Sequence, residues 1–522
     1  MTKFLFPIAF IGLSVLVSCQ QEYDIIIKNG MVYNGSGKTA IKAGIAIKGD
    51  KIVKVGDLGN ATATREIDAA GLAVAPGFID LHAHLDPLLN LPGAESAIRQ
   101  GVTTSLGGPD GSSPWPLGKY LEKADSLGMG MNVAFLIGHN TIRRNIMQLE
   151  NREPAPVELD SMKAQVAQGM KDGAFGISTG LKYLPGAFSK VEEVIALSEV
   201  ASQYGGIYTS HLREEGIGLI EAVAEAINIG RLANIPVVLT HHKAIGTKMW
   251  GASVKTLAMV DSARQQGIDV MIDQYPYNAS YTGIAVLIPS WAMAGGRDDF
   301  KKRTENKVLK DSIKKGIVHN ILYDRGGADL KRIQFALVNW KKDLEGRTLY
   351  DWLVEKKMEP TVQNGAELVI ESQLNGGASC VYFAMEEADV ERIMKHPQTM
   401  IASDGRLVSP GDGHPHPRWY GTFPRVLGVY VREKKILALE VAIQKMTSMP
   451  ADRLGLPDRG WIKENSFADI VVFNPETVKE KATFQEPHQY PEGIDYVLVN
   501  GKLAVDGGVY QDIRSGKVLR RN

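Results

Sequence analysis

Residues 75–87 read Ala75-Pro76-Gly77-Phe78-Ile79-Asp80-Leu81-His82-Ala83-His84-Leu85-Asp86-Pro87. An apolar run ends here in two histidines one residue apart. Alternate side chains of a strand share a face, so His82 and His84 point the same way. Val74, Phe78 and Ile79 supply the bulk of a buried strand, and Asp86-Pro87 stops it just past the histidines. Two imidazoles at a strand mouth can hold one divalent metal. A lone His-x-His pair has many other uses, so the rest of the chain has to supply further ligands.

The chain has 522 residues, enough for a barrel and a second module. Lys plus Arg equals Asp plus Glu at 59 each. With no basic face or charge run, neither a nucleic acid nor an anionic bilayer is expected as a partner. A hydrophobic content of 44% and 54 glycines fit a globular α/β protein with many tight loops.

Residues 1–19 differ from everything after them. Lys3 is followed by an apolar run from Phe4 to Val17, then Ser18-Cys19. The run has the length of a signal-peptide core and falls short of a membrane span. Leu16-Val17-Ser18-Cys19 resembles the lipobox of bacterial lipoproteins, in which the cysteine is acylated. A membrane contact is expected only through a lipid anchor at Cys19, which places the protein in the bacterial cell envelope as a periplasmic lipoprotein. The mature body then keeps only Cys380, which excludes an intramolecular disulfide and a Cys-rich zinc site.

From residue 22 to 75 short apolar runs alternate with Asn29-Gly30, Asn34-Gly35 and Gly49-Asp50, the signals of β-hairpins. The same texture returns within 451–522, in Ile470-Val471-Val472-Phe473 and Tyr496-Val497-Leu498-Val499. Both chain ends are therefore expected to build one small β-sandwich. Residues 76–450 alternate apolar strands with helical segments, the pattern of a parallel sheet closed by helices. After the opening strand, runs at 101–106, 131–137, 174–178, 206–210, 236–240, 269–273 and 400–402 bring the count to the eight strands of a (β/α)8 TIM-like barrel. The stretch 283–398 is too long for a connection and reads as an inserted subdomain or lid.

In such a barrel the chemistry sits at the carboxyl ends of the strands. Those ends carry His82 and His84, Asp110, His139 with Asn140, Lys182, His211, His241 with His242 and Lys243, and Asp404. Each taken alone has an ordinary explanation as a turn residue, a satisfied histidine or a solvated lysine. Together, four histidines and an aspartate suit zinc, ahead of nickel, cobalt or manganese.

The sequence resembles the amidohydrolase superfamily and, within it, the D-aminoacylase or N-acyl-D-amino-acid deacylase group. The resemblance rests on Pro76-Gly77-Phe78-Ile79-Asp80 with His-Ala-His, Gln100-Gly101-Val102-Thr103-Thr104, Ser178-Thr179-Gly180-Leu181, Ser210-His211-Leu212-Arg213, Thr240-His241-His242-Lys243, Tyr275-Pro276-Tyr277, Ser403-Asp404-Gly405 and His414-Pro415-His416-Pro417-Arg418. Ala468-Asp469-Ile470-Val471 and Val499-Asn500-Gly501 extend it to the C-terminal end.

The resemblance implies that His82 and His84 bind one metal and His211 and His241 a second, with Asp404 touching the first and shuttling protons. Lys243, Tyr275 and Arg418 then hold the substrate carboxylate, with His139 as a further substrate contact. Where better-known D-aminoacylases place a metal-binding cysteine after the second strand, this chain has Asp110. Lys182 falls where hydantoinase-like relatives carry a carboxylated lysine. The expectation is a carbamate on Lys182 bridging two metals, against a mononuclear site with Asp110 as the extra ligand.

The implied reaction is metal-assisted hydrolysis of N-acyl-D-amino acids, with one or two Zn2+ and Asp404 as general base. A D-residue dipeptidase and a cyclic amidase of the hydantoinase or dihydroorotase kind are the alternatives within the superfamily. A ligand-binding lipoprotein without turnover is the alternative outside enzymes.

Overall fold

The computed structural model describes residues 22–325 and 327–521. The expected signal segment, residues 1–19, lies outside the described residues, Cys19 included. Cys380 is buried and free. Among the described residues no helix is long and apolar enough to cross a membrane.

Eight parallel strands form the barrel: β1 (Phe78–Asp80), β2 (Val102–Gly107), β3 (Asn132–Phe135, continued by Ile137–Gly138), β4 (Gly176–Gly180), β5 (Ile207–His211), β6 (Val237–Leu239), β7 (Val270–Gln274) and β8 (Thr399–Ile401). β3 is broken at Leu136, whose N–H turns to Gly107 O at 2.9 Å. Hydrogen-bonded order runs β1 to β3 in one sheet and from the end of β3 through β8 in the next.

The ring closes between β8 and β1 beyond the strands proper. Gly405–Arg406 pairs with Ala83–His84, and Asp404 N donates to His82 O at 2.9 Å. Asp80 reinforces the seam, accepting from Ser403 N at 2.9 Å and from its hydroxyl. The strands bury both faces. Ile79, Leu106, Phe175, Ile207, Val238 and Met400 fill the inside, and the helices cover the outside.

The two chain ends meet in a pair of sheets. One has four strands from 22–68; the other joins strands of 31–76 to strands of 470–510. Between them lies a core of Ile25, Ile45, Ile47, Val74, Ile470 and Leu498. A buried polar cluster ties this sandwich to the barrel floor. Asn132 at the foot of β3 donates to Thr103 O at 3.0 Å and to Asp469 at 3.1 Å; Asn500 donates to Asn132 at 2.8 Å, and Arg459 pairs with Asp469. Asp469 and Asn500 of the C-terminal motifs thus weld the domains.

The insertion is built differently from the expected 283–398. Its sheet starts with Ser280–Gly283, pairs with Ser379–Tyr382 and takes in Ile333–Leu337. Its own core centres on Phe300, Ile313, Phe335, Trp352 and Tyr382. The helix Glu387–Lys395 belongs to the barrel: it packs on the helix Ser253–Gln265 and on β8. In the sequence the charged composition of that helix groups it with the insertion, because solvent-facing helices of both parts are polar.

Candidate metal centre

His82, His84, Asp110 and Asp404 form one group of donors, and Asp110, His211 and His241 a second that shares Asp110. In each group one ligand atom per residue lies within 4.8 Å of all the others. Asp110 reaches both sets: its carboxylate is 3.5 Å from His82 Nε2, 3.6 Å from His84 Nε2, 3.3 Å from His241 Nε2 and 3.8 Å from His211 Nδ1. Asp404 lies 3.2 Å from His84 Nε2 and 3.6 Å from His82 Nε2.

These residues fit a divalent metal. His82 Nε2 and Asp110 Oδ1 are buried without a hydrogen-bond partner, although buried polar atoms are nearly always paired. His211 Nδ1 and His241 Nε2 face each other at 2.8 Å. Burial presses the His211 imidazole down to about 3, aided by the cationic neighbour His241. For His241, burial and Lys243 are outweighed by the carboxylates of Asp110 and Asp404, which bring it up to about 10.

Three donors pay for their position in backbone conformation: Asp110 (φ 53°), His241 (φ 35°) and Asp404 (φ 47°) are non-glycine residues in the left-handed region. Each such residue costs about 1–3 kcal/mol, and such residues cluster at functional sites. The turn at His241 is held by Asp273, at the end of β7, which accepts from His241 N at 2.5 Å. Glu215 orients the other face of His241: its Oε1 is 3.3 Å from His241 Nδ1 and 2.5 Å from Lys243 Nζ. Such outer partners fix the orientation and basicity of a metal-binding imidazole. Glu215 was missed in the sequence, although its place four residues after His211 was a usable signal.

His242 turns away, 2.8 Å from Thr256 Oγ1.

Two expectations need correction. Lys182 is not brought to the histidines; its Nζ lies 2.9 Å from Glu214 and 3.2 Å from Asp324, and the side chain borders a neighbouring cavity. Burial alone would lower this amine, but Asp324 and Glu214 raise it above its ordinary value. Carbamate formation needs the neutral amine, and Asp110 holds the place between the two histidine pairs. His139 is fully buried and hydrogen-bonds Glu193 at 2.7 Å beside Arg143, so it is held in a structural polar cluster and is not among the residues that line the pocket. Its neighbour Asn140 lines the pocket instead.

The pocket over the donors has a volume of about 360 Å³. On its Asp404 side, Arg418 Nη1 is 3.0 Å from Asp404 Oδ2, and the guanidinium lies 4.6 Å from the Tyr275 ring centre. Arg418 Nε and the Tyr275 hydroxyl have no partner, though both are buried. Lys243 also faces the pocket. The insertion contributes Ser280, Thr282, Arg325 and Ser379, which composition did not single out.

Comparison with known proteins follows the same lines. Residues 65–237 and 335–505 match the amidohydrolase family. An N-acyl-D-glutamate deacylase of Alcaligenes xylosoxydans xylosoxydans is 36% identical over 96% of this chain and 98% of its own length. A D-aminoacylase of the same organism is 34% identical over 97% of this chain and 99% of its own. The crystal structure of N-acyl-D-glutamate deacylase from Bordetella bronchiseptica, complexed with zinc and a phosphonate mimic of the tetrahedral intermediate, superposes with a TM-score of 0.81 at 32% identity. It covers 96% of this chain and all of that one. The barrel, the paired donor groups and these matches together make the chain a member of the amidohydrolase family.

Proposed function

We propose that this protein is a zinc-dependent hydrolase of N-acyl-D-amino acids, releasing a D-amino acid and a carboxylic acid. The observation that carries the reading is Arg418, a buried guanidinium with an unpartnered Nε, set 3.0 Å from Asp404 at the edge of the donor cluster. Guanidinium binds carboxylate through paired hydrogen bonds, so a free carboxylate on Arg418 lies next to the proton-carrying group. A hydantoin-type cyclic amide offers no such carboxylate, which favours a substrate that carries one. The deacylase relatives at 34–36% identity support the class and the D-handedness.

His82, His84, Asp110, His211, His241 and Asp404 would hold one or two zinc ions. When bound, zinc supplies Lewis acidity and makes water a competent nucleophile near neutral pH. Asp404 takes the proton of the attacking water and later gives it to the leaving nitrogen. Arg418 and the Tyr275 hydroxyl hold the substrate carboxylate, with Lys243 beside them, and so place the scissile bond. Burial pushes the Asp404 carboxyl up; Arg418, His241 and His84 reverse this and hold it below the usual carboxylate range, which keeps it ionised. The insertion supplies Ser280, Thr282, Arg325 and Ser379 to the pocket wall.

Metal analysis combined with amine release from N-acetyl-D- and N-acetyl-L-amino acids tests the reading. Metal-dependent turnover of D-substrates is expected, and turnover confined to L-substrates overturns it.

We also propose that the protein is a lipoprotein of the bacterial envelope, acylated at Cys19 after cleavage behind Ser18. Support comes from the Leu16-Val17-Ser18-Cys19 stretch and the apolar run before it. Metabolic labelling with palmitate is expected to mark the wild type and to fail with Cys19→Ser; equal labelling of both refutes the anchor.

A further inference from the structure

A second cavity, of about 660 Å³, abuts the metal pocket. The two share Tyr183, Leu184, Thr282 and Gly283 as lining residues, and the partition is a hydrogen bond from Thr282 Oγ1 to the Tyr183 hydroxyl at 3.2 Å. The volume falls within the range of ~300–1,000 Å³ found for small-molecule sites. The apolar part of its wall comes mostly from the insertion: Leu149, Leu181, Val286, Ile288, Trp291 and Met293. Trp291 stays 38% exposed at this wall.

Most polar groups around the cavity have partners within the protein. Arg144 donates to Leu184 O at 2.9 Å, Lys182 sits between Glu214 and Asp324, and Arg213 grips Glu225 at 2.8 and 2.9 Å. Asn320 donates to Leu287 O at 3.0 Å. Lys182 and Arg213 are thus matched by carboxylates, Arg144 stays a cation at the exposed edge, and the apolar side chains of the wall suit an apolar occupant.

Its position relative to the donors selects which part of a substrate arrives there. Arg418 adjoins the donor cluster at Asp404, whereas the Tyr183 ring rests 4.4 Å from the ring of His211, in the other donor group. A substrate with its carboxylate on Arg418 and its carbonyl at the donors directs its acyl substituent toward Tyr183 and Leu184. We infer that the second cavity is the acyl subsite, and that the enzyme's preferred substrates carry a long, unbranched apolar acyl chain that passes the Tyr183–Thr282 partition. The inference rests on the deacylase reading and assigns the part of the substrate that Arg418 leaves open.

The test uses the full-length zinc-loaded protein and a panel of D-amino acids, each N-acylated with acetyl, hexanoyl or decanoyl. Each methylene entering an apolar site is worth up to about fourfold in binding. The expected result is a rise in kcat/KM of about 100-fold or more from acetyl to decanoyl, with free decanoate inhibiting at far lower concentration than acetate. Ala285→Trp, which puts bulk into the cavity from a residue that does not line the metal pocket, is expected to cancel at least tenfold of that gain. Ser290→Trp, at an exposed position of the same wall, does the same where Ala285→Trp fails to fold. Acetyl and decanoyl substrates hydrolysed within threefold of each other overturn the acyl subsite while leaving the deacylase reading intact. So does a gain that survives both variants, or one that follows the amino-acid side chain in place of the acyl chain. Hydrolysis of no panel member overturns the deacylase reading itself, and the subsite with it.

Discussion

Arg418 Nη1 lies 3.0 Å from Asp404 Oδ2, so the group assigned to the substrate carboxylate is also the counter-ion of the group assigned to proton transfer. Burial raises the Asp404 carboxyl, and among the influences that pull it down Arg418 is the strongest. Replacing Arg418 with Met removes that influence, so Asp404 gains protons at higher pH. The acid limb of the kcat/KM profile is expected to move to higher pH, with a loss of about 100-fold or more at the optimum, since charged hydrogen bonds are worth about 1.5–3 kcal/mol each. An acid limb that stays in place separates the two residues and contradicts the coupling.

Asp404→Asn keeps the shape and hydrogen-bonding reach of the side chain but removes its ability to carry a proton. General acid–base catalysis contributes roughly 10²–10⁴-fold. A loss of kcat in that range, with at least one equivalent of zinc still bound by elemental analysis, is the expected outcome. Full activity would exclude Asp404 as the shuttle.

Lys182 and Asp110 are separated by a single comparison. Asp110 stands within 3.8 Å of all four histidines, whereas Lys182 is occupied by Glu214 and Asp324. Lys182→Ala is expected to retain zinc and to lose less than about tenfold of activity toward the acetyl substrate. Asp110→Ala is expected to lose zinc and activity together, as removal of a ligand does. The reverse pattern, read by elemental analysis of the purified variants, would restore the carbamate bridge.

Asp469 is buried against Arg459 and receives N–H groups from Asn132 and Asn500. Removing one partner of a buried ion pair leaves the other charge uncompensated, at a cost of about 3–5 kcal/mol. Asp469→Ala should therefore lower the denaturation midpoint strongly, and the two domains should come apart before the barrel unfolds. Limited proteolysis around residues 460–510 reads this directly; resistance equal to the wild type would assign the cluster no welding role.

Lys445 gives a pH dependence of stability. Its Nζ donates to His396 O at 2.6 Å and Thr399 O at 2.8 Å, and burial lowers the ammonium from 10.5 to about 8. Between those values the unfolded chain binds the extra proton, so stability rises with pH across about 8 to 10.5, by about 3 kcal/mol. Below pH 8 both states are charged and the burial penalty is fully present. Lys445→Met should flatten this rise in chemical denaturation at pH 7.5, 9 and 10.5. A wild type and variant with parallel pH profiles would show that the lysine titrates normally in the fold.

Much of this protein is legible along the chain because the signals are local. The eight parallel strands follow from apolar runs spaced by helical segments, and the two strand-rich ends follow from repeated Asn-Gly and Gly-Asp turns. His82 and His84 share a face because strand side chains alternate, and the rule that barrel chemistry gathers at strand ends then located His211, His241 and Asp404.

What the tertiary structure alone decided depends on where a side chain is sent after its strand ends. Asp110 reaches the metal donors because its backbone turns left-handed at φ 53°, and Asp404 and His241 do the same. Lys182 leaves β4 at an equally suggestive place in the sequence, yet Glu214 and Asp324 capture it; Asp324 lies 142 residues downstream and inside the insertion. His139 likewise follows a barrel strand and is claimed by Glu193. Local periodicity determines which residues stand at the barrel's mouth. Long-range charges and loop turns determine which of them meet.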